Sequence, residues 1–297
     1  MKRVKEKAVV VKRKVKSLMR RFVRKLAAIS DGHVMSSYAI CPEGIMTKAG
    51  NPLVLNEGQK QILESYYDFC NIADELECET VLMGGDMLHG QNPKERGLGL
   101  MATDLDTQID AGVALYSRIC KGRKSVWVQG SEYHISTPGH NTEKNICDRI
   151  GKLPETETIW AGAVVNMDLD GRIINFSHGG SGAFIYRETA MAREIMFSKV
   201  AWANNKLPKI DMFIHGHWHW FSYLHEYDVH FLQLPGWTSF EPCPIFIKNY
   251  VRFQPDIGGA IILMDDEGRI QVWHFLYPVP RITYIQNKVL KDGVMSI

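Results

Sequence analysis

Short apolar runs separated by longer amphipathic segments are the dominant pattern along this chain. The runs are apolar at successive positions, which is typical of strands that are buried on both faces of a parallel sheet. Glycine or a polar residue follows each run and marks the end of the buried strand. The pattern predicts strands at 26–29, 80–83, 125–129, 172–177 and 212–214.

The segments between these runs have the spacing of amphipathic helices. In the first of them, apolar residues recur on one face between 56 and 76, and Asn56 can cap the helix start. That face contains Ile62, Tyr66, Phe69 and Ile72. Further helices are predicted at about 102–120, 141–150 and 187–204. The alternation of strands and helices predicts an α/β fold built on parallel strands.

The rest of the domain is predicted to be strand-rich or irregular. Additional strands are expected near 160–168, 221–234, 258–265 and 269–276. Residues 34–55 form a long loop with two prolines and two glycines. Because a loop of this length inside a compact domain commonly lines a binding site, we expect residues 34–55 to lie near the functional centre.

The first 25 residues differ from the remainder in charge. They contain twelve Lys or Arg and one acid, a net charge of +11 against +2 for the whole chain, which leaves −9 for the rest. We therefore divide the chain into a basic leader, 1–25, and one domain, 26–297. Apolar residues at helical spacing are compatible with an amphipathic helix that contacts nucleic acid or an anionic membrane surface. We prefer the interpretation of a solvated arm without a function.

Cysteine usage and hydropathy bear on the compartment. The six cysteines are scattered and include no C-x-x-C pair, which argues against a disulfide framework and against a cysteine zinc site. No apolar run reaches the roughly 18 residues that a membrane span needs, and no signal-peptide pattern is visible. We expect a cytoplasmic protein without a membrane span. The oligomeric state stays open.

Metal-ligand residue types follow five of the predicted strands. In open α/β sheets, ligands bind at the carboxyl ends of the strands, and buried carboxylates and imidazoles need a partner or a metal. Residues two apart on an extended backbone point the same way, so His217 and His219 can face one site. The five strand-end stretches are Asp31-Gly32-His33, Gly85-Asp86, Gly130-Ser131-Glu132-Tyr133-His134, His178-Gly179 and Gly216-His217-Trp218-His219.

These stretches, taken in chain order, resemble the motifs of the calcineurin-like metallophosphoesterase family. Residues 31–33 look like its D-x-H motif, 85–89 like G-D-x-x-[DH], 178–179 like its single histidine before glycine, and 216–219 like G-H-x-H. The resemblance covers roughly residues 26–275. It implies an αββα sandwich with a dinuclear metal site at the strand ends.

One stretch departs from the family pattern. The family has G-N-H-[DE] after the third strand, with Asn as a metal ligand and His at the leaving group. Here Gly130 is followed by Ser131 and Glu132, and the histidine arrives at His134. We place Glu132 as the ligand, since a carboxylate binds a dication more tightly than an amide, with Ser131 as the alternative. His134 is predicted to be the leaving-group acid; its alternative is a surface histidine.

The family roles imply two divalent metal ions, with Mn expected first and Fe, Zn or Ni as alternatives. Asp86 would bridge them, so Asp86 and His134 are the predicted catalytic residues. A hydroxide shared by the metals would attack phosphorus. The first metal would be held, with Asp86, by Asp31, His33 and His219. The second would be held, with Asp86, by Glu132, His178 and His217. His89 is predicted either to orient a ligand or substrate or to be packing, and His215 to be a packed histidine.

Three functions are consistent with these residues. The first is metal-dependent hydrolysis of a phosphomonoester or phosphodiester. The second is a DNA exonuclease or endonuclease of the same fold, in which the basic leader aids nucleic-acid binding. The third is a non-catalytic metal-binding module, for which the altered stretch 130–134 is the main support. We rank them in that order.

Overall fold

We analysed a computed structural model of the chain. It describes residues 19, 21–92, 97, 99–134, 141–179, 187–239 and 254–280, and two short strands at 284–285 and 288–289. Most of the basic leader, including the proposed helix, lies outside the described residues. No helix in the described residues is long and apolar enough to cross a membrane.

Strands and helices alternate through the first two thirds of the described chain. The helices are α1 (Glu57–Glu75), α2 (Leu105–Cys120), α3 (Thr142–Ile150) and α4 (Arg187–Ala203). The strands are β1 (Phe22–Ile29), β2 (Thr80–Met83), β3 (Arg123–Trp127), β4 (Thr156–Trp160), β5 (Val164–Leu169), β6 (Arg172–Ser177), β7 (Met212–His215), β8 (Ser222–Glu226), β9 (Val229–Gln233), β10 (Ile257–Asp265), β11 (Ile270–Tyr277), β12 (Tyr284–Ile285) and β13 (Lys288–Val289).

Two sheets organise the domain. The first has the strand order β11-β10-β1-β2-β3-β4, in which β1 to β4 are parallel and β10 and β11 add an antiparallel edge. The second has the order β5-β6-β7-β9-β8, with β6, β7 and β9 parallel. Five of the parallel strands, β1, β2, β3, β6 and β7, end at the candidate functional residues.

Three apolar clusters show that the layers are stacked helix, sheet, sheet, helix. In β1, Ala27 and Ile29 belong to the cluster that also holds residues of α1, α2 and α3, whereas Leu26 and Ala28 pack between the sheets. The third cluster joins α4 to the outer face of the second sheet through Met191. Residues 26–29 of β1 are buried on both faces, and this part of the strand is a continuous apolar run. The predicted αββα sandwich is confirmed.

Two predicted strand boundaries differ from the structure. β1 begins at Phe22, and residues 22–25 of the predicted leader pair with β10. The predicted strand 221–234 is a hairpin, β8 and β9, that turns at Tyr227 and Asp228, both of which have positive φ. The long loop 34–55 is tied to the site side of the sheet by bridges such as Val34 to Leu88.

Arg123 fastens the start of β3 to the helices behind it. Its side chain is 5% exposed and donates to the carbonyl oxygens of Cys78 and Ile119 and to the carboxylate of Asp74. Arg123→Ala is expected to lower the free energy of unfolding by about 2–4 kcal/mol, because buried acceptors lose their charged donor. Urea unfolding measures this loss.

The matched control for that variant is Arg149→Ala. Arg149 is 41% exposed and pairs with Asp110 on the surface, so its removal is expected to cost no more than about 1 kcal/mol. Equal losses for the two arginine variants would show that burial of Arg123 contributes nothing to stability.

Candidate metal centre

The strand ends bring the predicted ligands to one edge of the two sheets. Asp31 and His33 follow β1, Asp86 follows β2, and residues 130–134 follow β3 in the first sheet. In the second sheet, His178 follows β6, and His217 and His219 follow β7. Six of these side chains form two groups that could each hold a metal ion, with all ligand atoms of a group within 4.8 Å of one another.

The first group consists of Asp31, His33 and His219. The His219 Nε2 atom lies 3.3 Å from Asp31 Oδ1 and 3.0 Å from the Nε2 atom of His33. The His33 Nε2 atom lies 4.0 Å from the same carboxylate oxygen. Three ligand atoms from two strand ends therefore converge on one point, as a cation site requires.

The second group consists of Asp86, His178 and His217. The His178 Nε2 atom lies 2.9 Å from Asp86 Oδ2 and 3.3 Å from His217 Nδ1. The same Nε2 atom lies 3.9 Å from Asp31 Oδ1, so the two groups adjoin. This adjacency is the arrangement that a dinuclear site needs.

Backbone conformation marks the same residues. Asp31, His33, Asp86, His217 and His219 have φ values of 53°, 42°, 51°, 77° and 56°. A residue other than glycine in this left-handed region costs free energy and persists only where its surroundings fix it. The fixing contacts include the bond from the His33 amide to Asp86 O, 2.9 Å, and that from the His217 amide to Asp31 Oδ2, 2.9 Å.

Two glycines allow the strand ends to approach the carboxylates. A Cβ atom on Gly130 would lie 2.2 Å from Asp86 Oδ1, and one on Gly216 would lie 2.7 Å from Asp31 Oδ2. Neither distance is physically acceptable. Both positions therefore require glycine if the two carboxylates are to stay where they are.

The electrostatics of the centre keep both carboxylates ionised. Burial opposes ionisation, but His178 and other histidines hold the pKa of Asp86 well below its ordinary value, and His178 and His219 lower the pKa of Asp31. The two carboxylates, acting against burial, raise the pKa of His178 to about 10. A site that stabilises positive charge at this point also suits a dication.

Two of the other imidazoles, those of His33 and His217, are held neutral. Burial, together with the neighbouring histidines, puts the pKa of His33 well below its usual value, and burial lowers the pKa of His217. Neutral imidazole is the form of histidine that binds metals. The donor set of this centre, anionic carboxylates beside neutral imidazoles, therefore fits divalent transition metals.

Backbone carbonyl groups orient two of the histidine rings. The Nδ1 atom of His178 lies 2.7 Å from Gly84 O, and the Nδ1 atom of His134 lies 2.7 Å from His89 O. A carbonyl oxygen accepts only, so Nδ1 carries the proton in both rings. In His178, Nε2 is consequently the atom that faces Asp86, which is the way a metal-binding histidine is normally held.

His134 lies beside the first group and is buried rather than on the surface. It is 9% exposed, and its ring centroid is 4.4 Å from that of His33. His33, His89 and His134 form a third group of converging ligand atoms. His134, and with it the buried His89, therefore lies beside the group formed by Asp31, His33 and His219.

Glu132 and Ser131 are placed differently from the prediction. Glu132 is exposed and belongs to none of the three groups found among the described residues. Ser131 instead contacts Asp86: its amide donates to Oδ1 at 2.6 Å, and its hydroxyl to Oδ2 at 3.0 Å. The backbone turns after β3, and this turn brings residue 131, not 132, to the carboxylate. Ser131, the alternative in our prediction, therefore contacts Asp86, whereas the ligand role of Glu132 stays a prediction.

One residue at the centre was missed by the sequence analysis. Glu143, in the first turn of α3, is completely buried and accepts hydrogen bonds from the amides of Met87 and Gly130. Burial, reinforced by Asp86, raises the pKa of Glu143 to about 7. Its spacing from Ile146 and from the rest of the buried face of α3 was the available signal, because a solvated first-turn glutamate would not lie on that stripe.

A cavity of about 400 Å³ opens beside His178. Gly130, Ser177, Glu194 and His215 are among the residues that line it. His215 is otherwise packed, 8% exposed, and burial lowers its pKa to about 4, in keeping with a buried neutral histidine. The volume is within the range of sites for small ligands.

No family model and no curated protein matches this chain. Among solved structures, similar folds include an archaeal phosphodiesterase, 12% identical, covering 84% of this chain and 99% of the other, with a TM-score of 0.41. Vps29 of Entamoeba histolytica complexed with Zn²⁺ is 10% identical over 85% and 98% of the chains, with a TM-score of 0.35. A conserved Streptococcus pneumoniae protein described as a predicted phosphoesterase is 11% identical over 86% and 98%, with a TM-score of 0.34.

At these identities and TM-scores, the three likenesses carry no argument about function. The resemblance to the calcineurin-like metallophosphoesterases is confirmed instead by this chain's own αββα layers and by the aspartate and histidine groups at its strand ends.

Proposed function

We propose that this chain is a hydrolase of phosphoric esters that uses two divalent metal ions. The observation that carries the proposal is the pair of adjoining ligand groups, each with one buried, ionised aspartate and two histidines. Structural packing offers no reason to bury two carboxylates and four imidazoles together, because each would be costly to bury without a partner.

In this proposal each metal is held by one of the two ligand groups. Asp31, His33 and His219 would hold one ion, and His178 and His217 the other. Asp86, whose neighbours come from both sheets, would bridge the two ions. Ser131, which donates to Asp86, would take the place of the family's Asn ligand, and Glu132 is the other candidate for that place. Mn is the expected metal, with Fe, Zn or Ni as alternatives, since all suit imidazole–carboxylate sites.

The chemistry that two bound dications supply is Lewis-acid activation of the phosphoryl oxygens and a water of lowered pKa. The chain's own residues would position the substrate and protonate the leaving group. His134 would protonate or hydrogen-bond the leaving oxygen through Nε2, since Nδ1 is bonded to His89 O. The 400 Å³ cavity beside His178 would accept one ester group of a phosphomonoester or small phosphodiester.

A nuclease is the second candidate, favoured by one observation, the +11 charge of residues 1–25. Basic residues that contact DNA phosphates release counterions, so DNA affinity would fall steeply with added salt. We also propose a cytoplasmic location, because scattered cysteines without a C-x-x-C pair are typical of proteins in a reducing compartment.

A metal-dependent activity screen tests the proposed function. The full chain is stripped with a chelator, reloaded with Mn²⁺, and assayed on p-nitrophenyl phosphate, bis(p-nitrophenyl) phosphate, a cyclic nucleotide, and single- and double-stranded DNA. We expect hydrolysis of a small ester that the chelator removes and Mn²⁺ restores. Cleavage of DNA alone would favour the nuclease. A metal-loaded protein that cleaves none of them would be a non-catalytic binding module.

A further inference from the structure

The Asp86 loop and the loop after β3 are joined by one buried carboxylate. The Glu143 Oε1 atom accepts from the Met87 amide at 2.8 Å, and Oε2 accepts from the Gly130 amide at 2.7 Å. Met87 is the residue after Asp86, and Gly130 is the residue before Ser131. The carboxylate therefore bridges the two backbone segments that present Asp86 and its hydrogen-bond donor.

The two loops are in direct contact at this point. Ser131 donates two hydrogen bonds to Asp86. A Cβ atom on Gly85 would lie only 2.7 Å from the Cα atom of Gly130. A small change in the spacing of the loops would thus either break the contacts between Ser131 and Asp86 or force backbone atoms together. The spacing must be held, and Glu143 is bonded to both sides of the gap.

The helix that carries Glu143 is itself fixed against the same loop. Asn141 caps α3 by accepting from the Lys144 amide, and its Nδ2 atom donates to Gln129 Oε1 at 3.0 Å. The first turn of a helix favours a negative side chain, because its amide dipoles point toward that end. The position of Glu143 is therefore set by α3, whose first residues are bonded to the loop after β3.

Only a carboxylate satisfies both amides. Each of its oxygens accepts one N–H donor, whereas a glutamine of the same size has one accepting oxygen and an amide group that would face the second N–H. Aspartate keeps both oxygens but is one methylene shorter, so it would reach both amides only if α3 moved.

We propose that Glu143 is a positioning residue that holds the Asp86 side of the metal centre in its ligating geometry by bridging the amides of Met87 and Gly130. The proposal rests on the proposed function only in assuming that the centre binds metal. Outer-shell partners of this kind commonly change metal affinity by about 10–100-fold when they are removed.

The test is Mn²⁺ titration of the full-length Glu143→Gln variant by calorimetry, alongside amide hydrogen exchange of the metal-free protein. We expect two Mn²⁺ equivalents for the unmodified chain. In the variant, the equivalent held by Asp86, His178 and His217 should weaken by about 10–100-fold. The other equivalent should weaken less, because Asp31, His33 and His219 hold it in addition to Asp86. Exchange at the Met87 and Gly130 amides should accelerate, with an unchanged far-UV circular dichroism spectrum.

The matched control is Glu57→Gln. Glu57 also occupies the first turn of a helix, α1, but its side chain is 82% exposed and pairs with Lys60. This variant should bind Mn²⁺ like the unmodified chain. If Glu143→Gln does not fold, Glu143→Asp provides the same comparison, with a smaller loss of affinity expected.

The proposal is overturned if a folded Glu143 variant binds both Mn²⁺ equivalents with unchanged affinity, or if both equivalents weaken equally, as in general loosening of the fold. Failure of the proposed function has a different signature. A chain that binds two Mn²⁺ ions and hydrolyses no ester would refute the hydrolase, while the effects of Glu143→Gln on metal affinity and amide exchange would still be measurable.

Discussion

Asp86→Asn is expected to abolish ester hydrolysis while the fold persists. The Asp86 carboxylate is 2.9 Å from His178 Nε2 and accepts twice from Ser131. Asparagine keeps the shape but removes the negative charge and one acceptor oxygen, so it cannot bridge two dications. Loss of an outer-shell partner already costs about 10–100-fold, so loss of the shared anionic ligand should lower kcat/KM by more than about 100-fold.

The measurement combines metal analysis with steady-state rates at saturating Mn²⁺. The matched control is Asp170→Asn, because Asp170 has nearly the same left-handed backbone, with φ 50° against 51° for Asp86, and pairs only with Arg24 on the surface. Asparagine tolerates this conformation, so backbone strain is equal in the two variants. If Asp86→Asn retains two metals per chain and full activity, Asp86 does not bridge them.

The layers of the fold could be predicted from the sequence because a strand that is buried on both faces is apolar at successive positions. Continuous apolar runs occupy 26–29 in β1, 81–83 in β2 and 212–214 in β7, and each strand is followed within a few residues by a carboxylate or an imidazole. Parallel strands end at one edge, so strand-end residues far apart in the chain could be placed together before the structure was known.

The hairpin of β8 and β9 could not be predicted, because its turn lacks the usual residues. Tyr227 and Asp228 both adopt positive φ, where Asn-Gly or Asp-Gly is the common pair. Because the turn contains no glycine, the sequence between 221 and 234 does not show where one strand ends and the next begins. The start of β1 was missed for a related reason: Phe22 pairs with Asp265 of β10, a partner more than two hundred residues away.

The contact between Ser131 and Asp86 could not be predicted from the sequence pattern. Alternation fixes side-chain direction only along an extended strand, and β3 ends at Trp127. Beyond that residue the backbone turns, so alternation could not decide between Ser131 and Glu132, and we chose Glu132 on chemical grounds with Ser131 as the alternative. Chemical preference pointed to the carboxylate, whereas the contacts with Asp86 are made by the serine.

His134→Ala is expected to slow hydrolysis according to the leaving group while both metals stay bound. His134 is buried beside His33, and its Nδ1 proton is committed to His89 O, which leaves Nε2 for the substrate. Burial lowers the pKa of His134, although Asp86 opposes this. The negative charge of a bound phosphoester acts in the same direction as Asp86, favouring the protonated, donating form of the imidazole.

Removing a metal ligand and removing a general acid have different effects on the rate, and comparing two esters distinguishes these effects. Loss of a general acid costs about 10²–10⁴-fold when the leaving group is an ordinary alkoxide, and we expect that loss with an alkyl phosphate such as glycerol 2-phosphate. p-Nitrophenolate departs without a proton, so p-nitrophenyl phosphate should be affected much less. The ratio of the two kcat/KM values, measured for both proteins with metal content checked, is therefore the decisive quantity.

His225→Ala is the control, because His225 is exposed on β8 and stacks only on neighbouring His230. It should change neither rate nor metal content. If His134→Ala loses metal, then His134 acts as a ligand within the group that it forms with His33 and His89. If it slows both esters equally, proton donation to the leaving group comes from elsewhere, and His89, the remaining buried histidine of that group, is the next residue to replace.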